Sequence, residues 1–202
     1  DHKDDGHDDH KDDGHDDHDH GDSPWDPHIW LDPVVAKSMV GTIRDSMIEA
    51  QPSMTATFTA QAKILTDELS QLDTEFSVGL AACKLDVFIT SHAAFGYLGQ
   101  RYGLTQIAVG GLGHHAETSP GRVAEVADFI RDRGIRAILI EYLSPNSDAV
   151  ILKDELKAEG VQVLTLHNIA SITEPELAEH SDYFGLMRNN LRNLQEALEC
   201  SG

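Results

Sequence analysis

Positive charge is scarce in this chain. Fifteen lysines and arginines face 35 aspartates and glutamates, a formal net charge of -20. That balance repels nucleic acid as a partner and attracts cations. Cysteine is scarce too: Cys83 and Cys200 are far apart and neither sits in a CxxC pair, which argues against a thiolate zinc knuckle. Two buried thiols, or one disulfide tying the end of the chain to an earlier helix, both remain open. No apolar run reaches the roughly 18 residues that a membrane-spanning helix needs. Signal peptide and initial methionine are absent. Because the sequence starts inside a repeat, the chain is expected to be a fragment whose upstream part is missing. The lack of a targeting signal then carries nothing about location.

What is present first is an octad. Asp1–Asp8 and Asp9–Asp16 are identical, and Asp17-His18-Asp19-His20 starts a degenerate third unit. Residues 1–22 hold no aromatic or branched apolar side chain, so nothing there offsets the entropy of ordering. A disordered segment is expected. Six histidines, His2, His7, His10, His15, His18 and His20, exceed what a solvating acidic linker requires and suggest a metal-collecting loop.

After this segment, Asp32-Pro33 marks a helix start, with an aspartate N-cap and a proline at the first helical position. Val35, Met39, Ile43 and Met47 continue it to about Ala50. A second helix follows Gln51-Pro52-Ser53, with Phe58, Leu65, Leu69, Leu72, Phe76 and Leu80 on one stripe. Continuous over about 30 residues, it would be ~45 Å long. Alternating strands and helices come next. Strands are expected at 87–90, 106–109, 137–140 and 161–166. Helices are expected at 93–102, from Ser119-Pro120 to Gly134, at 147–159, and through Phe184, Met187, Leu191, Leu194 and Leu198. The fold class is therefore α/β: a parallel four-stranded sheet with helices on both faces, preceded by a long helix.

Parallel sheets of this kind bind ligands at the carboxyl ends of their strands. Those ends carry His92, then His114 and His115 in a glycine-rich turn, then Glu141, then His167. A single such histidine is usually a satisfied structural residue, but donors at all four exits point to a metal. Imidazoles in a roughly tetrahedral set suit zinc. His28, held in Trp25-Asp26-Pro27-His28-Ile29-Trp30 ahead of the first helix, joins such a set only if two lobes face each other.

Three stretches carry a resemblance. They are Asp26-Pro27-His28-Ile29-Trp30-Leu31-Asp32-Pro33; Thr90-Ser91-His92-Ala93-Ala94-Phe95-Gly96-Tyr97-Leu98 with Arg101-Tyr102-Gly103-Leu104; and Asp182-Tyr183-Phe184-Gly185-Leu186-Met187 with Asn190-Leu191. Together they resemble the zinc-binding substrate-binding proteins of metal ABC transporters, over essentially all of 25–200. The resemblance implies two α/β lobes joined by one long rigid helix, with the metal in the cleft. In those terms residues 23–51 are the remnant of a first lobe, 52–82 the inter-lobe helix and 83–202 the second lobe.

It also implies roles. His28 matches the ligand of the first lobe and His92 the first ligand of the second, where manganese-binding members tend to carry glutamate. His167 falls near a position where many members supply an aspartate. Glu141 is expected to orient an imidazole by hydrogen bonding rather than to ligate. His114 and His115 read as exposed loop histidines, and His180 as capping or exposed. A further ligand is expected upstream of this chain. Such proteins work outside the cytoplasm, periplasmic or at the cell surface, where disulfides persist; the resemblance thus favours a Cys83–Cys200 bridge.

The implied function is capture of Zn2+ by a monomer and its delivery to the membrane permease of an ABC transporter, with no enzymatic chemistry. A zinc hydrolase with Glu141 as base is disfavoured by the lack of an HExxH pair. A receptor for manganese or another divalent metal, and a zinc buffer in which residues 1–22 are the working part, are the remaining alternatives.

Overall fold

Asp32 opens the first helix as its position requires. Its Oδ1 accepts the backbone N–H groups of Val34 at 2.8 Å and Val35 at 3.3 Å, two donors that a helix start leaves without intrahelical partners. The computed structural model describes residues 25–110, 119–140, 152, 156, 160–170, 172 and 182–201. Helix α1 spans Pro33–Ala50 and a single 3-10 turn spans Pro52–Met54. Helix α2 then runs Thr55–Leu80. It starts later than the sequence pattern suggests because the 3-10 turn at 52–54 precedes it. Pro52 keeps Gln51 out of helical backbone, at φ -141° and ψ 76°, and so ends α1.

The apolar stripe of α2 divides in two. Leu69, Leu72, Phe76 and Leu80 are buried, whereas Leu65 is exposed and Phe58 half-buried. On α1 the same happens: Ala36 is buried, while Ile43 and Met47 are exposed. None of the helices described is long and apolar enough to cross a membrane.

Four short strands follow: β1 Val87–Thr90, β2 Thr105–Ala108, β3 Ala137–Ile140 and β4 Gln162–Thr165. They pair in parallel in the order β2-β1-β3-β4. Helix α3 (Gly96–Arg101) lies between β1 and β2. It is shorter than the expected 93–102 because residues 91–95 form a turn. Helix α4 spans Pro120–Arg133, capped by Ser119 Oγ and ended by Gly134 at φ 62°, where a side chain would be strained. Strands β2 and β4 lie within a residue or two of expectation. Of the helix expected at 147–159, Leu152 and Leu156 are helical and buried; its other positions fall outside the described residues. Helix α5 spans Tyr183–Ala197.

The pleat sends alternate strand residues to opposite faces. Phe88, Ala137 and Leu139 enter one core with Leu72, Phe76, Leu98, Met187 and Leu194, and so with α2, α3 and α5. Val87, Ile89 and Ile138 enter a second core with Val123, Val126 and Ile130 of α4 and with Leu152 and Leu156. The sheet is therefore covered on both faces, which explains why all four β1 residues are buried.

Cys83 and Cys200 form a disulfide, within a short antiparallel bridge where Leu198 O accepts the N–H groups of Lys84 and Leu85. It joins the turn after α2 to the end of α5.

Candidate metal centre

His28 lies in the turn before α1 and is buried to 3% exposure. Asp26 fixes it. One carboxylate oxygen accepts the His28 backbone N–H at 2.9 Å and the ring Nδ1–H at 2.7 Å. With its proton held on Nδ1, the ring keeps the Nε2 lone pair for a Lewis acid, and the carboxylate raises its basicity. Sequence reasoning missed Asp26; the i, i+2 spacing of Asp-Pro-His was the signal.

His92, also 3% exposed, sits on the turn that leaves β1. That turn is built by Gln106 of β2 and Thr90 of β1. The His92 carbonyl accepts from Thr90 Oγ1 and from Gln106 Nε2, each at 2.8 Å, while Gln106 Oε1 accepts the Phe95 N–H at 3.0 Å. The amide of Gln106 thus shapes residues 91–95 and delays the start of α3. The fold brings the His28 and His92 rings together, with centroids 5.0 Å apart at an interplanar angle of 80°. Trp30 closes another side, 5.4 Å from His28.

His167, at the exit of β4, is buried and held differently. Its backbone N–H donates to Asn190 Oδ1 and its carbonyl accepts from Asn190 Nδ2, both at 2.7 Å, so α5 grips the turn with one amide side chain. The His167 Nδ1 accepts the Ile169 N–H at 2.8 Å. A neutral ring in this arrangement carries its proton on Nε2. Ile169 itself has a φ of 56°, a left-handed conformation unusual for a β-branched residue.

Polar bridges draw these turns together. Trp30 Nε1–H donates to the Asn168 carbonyl at 2.8 Å, and the Tyr183 hydroxyl donates to the Trp30 carbonyl at 2.7 Å. Burial, reinforced by the nearby Asp32 carboxylate, pushes the Tyr183 phenol well above its ordinary range, so it remains a donor. Arg101 of α3 reaches Asp32 at the head of α1, with Nε 3.1 and 2.9 Å from the two carboxylate oxygens and a terminal nitrogen 2.9 Å from Oδ2.

The structure therefore brings His28 and His92 into contact and sets His167 on an adjoining turn through Trp30 and Asn168. Among the described residues, no group of three or more His, Cys, Asp or Glu side chains stands ready to hold a metal ion. Glu141, His114, His115, His180 and the six histidines of residues 1–22 lie outside the described residues.

A buried imidazole pair beside the carboxyl edge of a parallel sheet, with one ring backed by a carboxylate, has the chemistry of a transition-metal-binding α/β protein. The chain belongs to the ZnuA family, described as zinc-uptake complex component A, periplasmic, whose profile matches residues 2–197. It is 35% identical over 178 residues to the zinc-binding protein AdcA of Streptococcus pyogenes serotype M1, covering 88% of this chain and 34% of that protein. It is 27% identical over 173 residues to the high-affinity zinc uptake system protein ZnuA of Bacillus subtilis, covering 86% of this chain and 53% of that one. Among solved structures, the Zn(II)-bound ZnuA-like domain of Streptococcus pneumoniae AdcA matches with a TM-score of 0.73 and 34% identity. That match covers 87% of this chain and 64% of the domain. The chain thus spans only about a third of the length of the AdcA relatives it matches.

Proposed function

We propose that this chain is part of an extracytoplasmic zinc receptor, which captures Zn2+ and hands it to the membrane permease of an ABC transporter. Family membership supports the role, and the relatives named above are zinc-binding and zinc-uptake proteins. The observation that carries the reading at residue level is the His28–His92 ring pair, with the Nδ1–H of His28 committed to Asp26. Zinc binds imidazole nitrogen at about 2.0–2.1 Å, and such a pair supplies two of its usual four ligands.

In this reading His28 and His92 are ligands and His167 is a third. His167 joins once its Nδ1 releases the hydrogen bond from the Ile169 N–H, either ligating through that nitrogen or taking the proton there to free Nε2, so it contributes less than the other two. Glu141 orients an imidazole, and the histidines of residues 1–22 gather zinc. Residues 23–51 belong to a first lobe, 52–82 to the linking helix and 83–202 to a second lobe. The protein works as a monomer and does no catalysis, a reading supported by the lack of an HExxH pair to set a general base beside the metal.

Zinc titration against a chromophoric competitor tests this. It compares the chain with a version starting at Ser23, each with and without His92→Ala. The expected result is one tight equivalent that survives trimming and disappears with His92→Ala. Loss of all binding with the tail would instead indicate a buffer. Competition by manganese at equal concentration would turn the reading toward a manganese receptor.

A further inference from the structure

We infer that Arg101 is a positioning residue for metal binding: through Asp32 it sets the separation of the His28 and His92 imidazoles. The inference rests on the zinc-receptor reading above, and it concerns how two turns far apart in sequence are held in register.

His28 and His92 belong to different segments. The chain between them runs through α1 and α2, and neither turn is fixed to the other by a shared strand or helix. A zinc ion bonded to both rings in tetrahedral geometry needs their nitrogens roughly 3.3 Å apart, so small relative shifts of the turns matter. Leu31 and Ala36 share one core with Ala94, Phe95 and Leu98, and beside that non-directional packing a charge-assisted contact between residues 69 apart in sequence ties the two segments. Asp32 follows His28 at the head of α1, and Arg101 closes α3, the helix that follows His92.

The Asp32 carboxylate is 3% exposed and serves both sides at once. Its Oδ1 caps α1 through Val34 and Val35, and both its oxygens accept from Arg101 Nε. The same two segments meet again at the other end of α3. A Cβ on Gly96 would lie 3.2 Å from Oδ2 of Asp26, the carboxylate that holds the His28 ring. Helix α3 therefore abuts the His28 turn at its first residue and grips the head of α1 at its last. Arg101 touches no metal; it acts through Asp32. Lysine offers a point charge in place of a planar donor fork and cannot reproduce this contact.

The test uses the full chain, zinc with a chromophoric competitor, cobalt(II) as a spectroscopic probe, and thermal melting of the metal-free protein. Asp32→Asn keeps a good N-cap while removing the charge that Arg101 grips. The expected result for Arg101→Lys and for Asp32→Asn is a fall of about 10–100-fold in zinc affinity. Weaker visible cobalt bands should accompany it, with little change in the metal-free melting temperature. The double variant should be no weaker than either single one, because both remove the same contact. Unchanged affinity and cobalt spectrum with a lowered melting temperature would make the pair merely structural and overturn the inference. Additive losses in the double variant would also overturn it. If neither His28→Ala nor His92→Ala weakens zinc binding in the same assay, the receptor reading itself fails; if they do and Arg101→Lys does not, only the positioning role fails.

Discussion

At the scale of single residues, the site depends on side chains that orient other side chains. Asp26 is the clearest case, because its contact with His28 Nδ1 decides which nitrogen the ring presents. Asp26→Ala should lower zinc affinity by about 10–100-fold while the fold persists, a difference that competitor titration and far-UV circular dichroism read separately. Asn190 and Gln106 act on backbone instead: each satisfies a turn that bears a histidine. The histidines themselves were legible in the sequence, as was Asp32 as an N-cap. Their distant partners Asn190 and Gln106 were not, because an amide side chain inside a helix or strand gives no local sign of the turn it will meet.

Between elements, two kinds of cross-link matter. The disulfide closes a loop between residues 117 apart, for which the chain-entropy relation gives a ceiling of about 5 kcal/mol. Reduction should therefore destabilise the chain by about 2–4 kcal/mol, read as a shift of the urea midpoint with and without reductant. Arg188 of α5 donates to both carboxylate oxygens of Glu75 on α2. That hydrogen-bonded contact holds the Glu75 carboxyl below its ordinary value near 4.5. A carboxyl depressed by folding adds stability above its unfolded pKa, and this is lost as pH falls through the folded value. Both groups are about a third exposed, so the contribution is on the order of 0.5 kcal/mol. Glu75→Gln should melt slightly below the parent at pH 7, and the gap should close as pH drops below about 4.5. A gap that stays constant to pH 3 would exclude the ion pair as its source.

For the whole molecule, the proposed zinc capture would be linked to folding. A ligand that binds only the folded chain adds about 2.7 kcal/mol when free ligand is 100 times its dissociation constant. Zinc should raise the melting temperature, a chelator should reverse the rise, and His92→Ala should abolish most of it. A rise that persists in His92→Ala but vanishes on deletion of residues 1–22 would move the binding to the histidine-rich segment.

The order of strands and helices followed from the sequence alone, because apolar periodicity and capping residues are local signals. Asp32-Pro33, Ser119-Pro120 and Gly134 each mark a boundary that the fold keeps. The histidines at the β1 and β4 exits were equally legible, since strand ends in a parallel sheet are where ligands bind. Tertiary structure decided the rest. It placed His28 against His92, divided the α2 stripe into a buried half and an exposed half, and joined Cys83 to Cys200. These are contacts between residues distant in the chain, fixed by how whole elements pack, and spacing within a segment does not encode them.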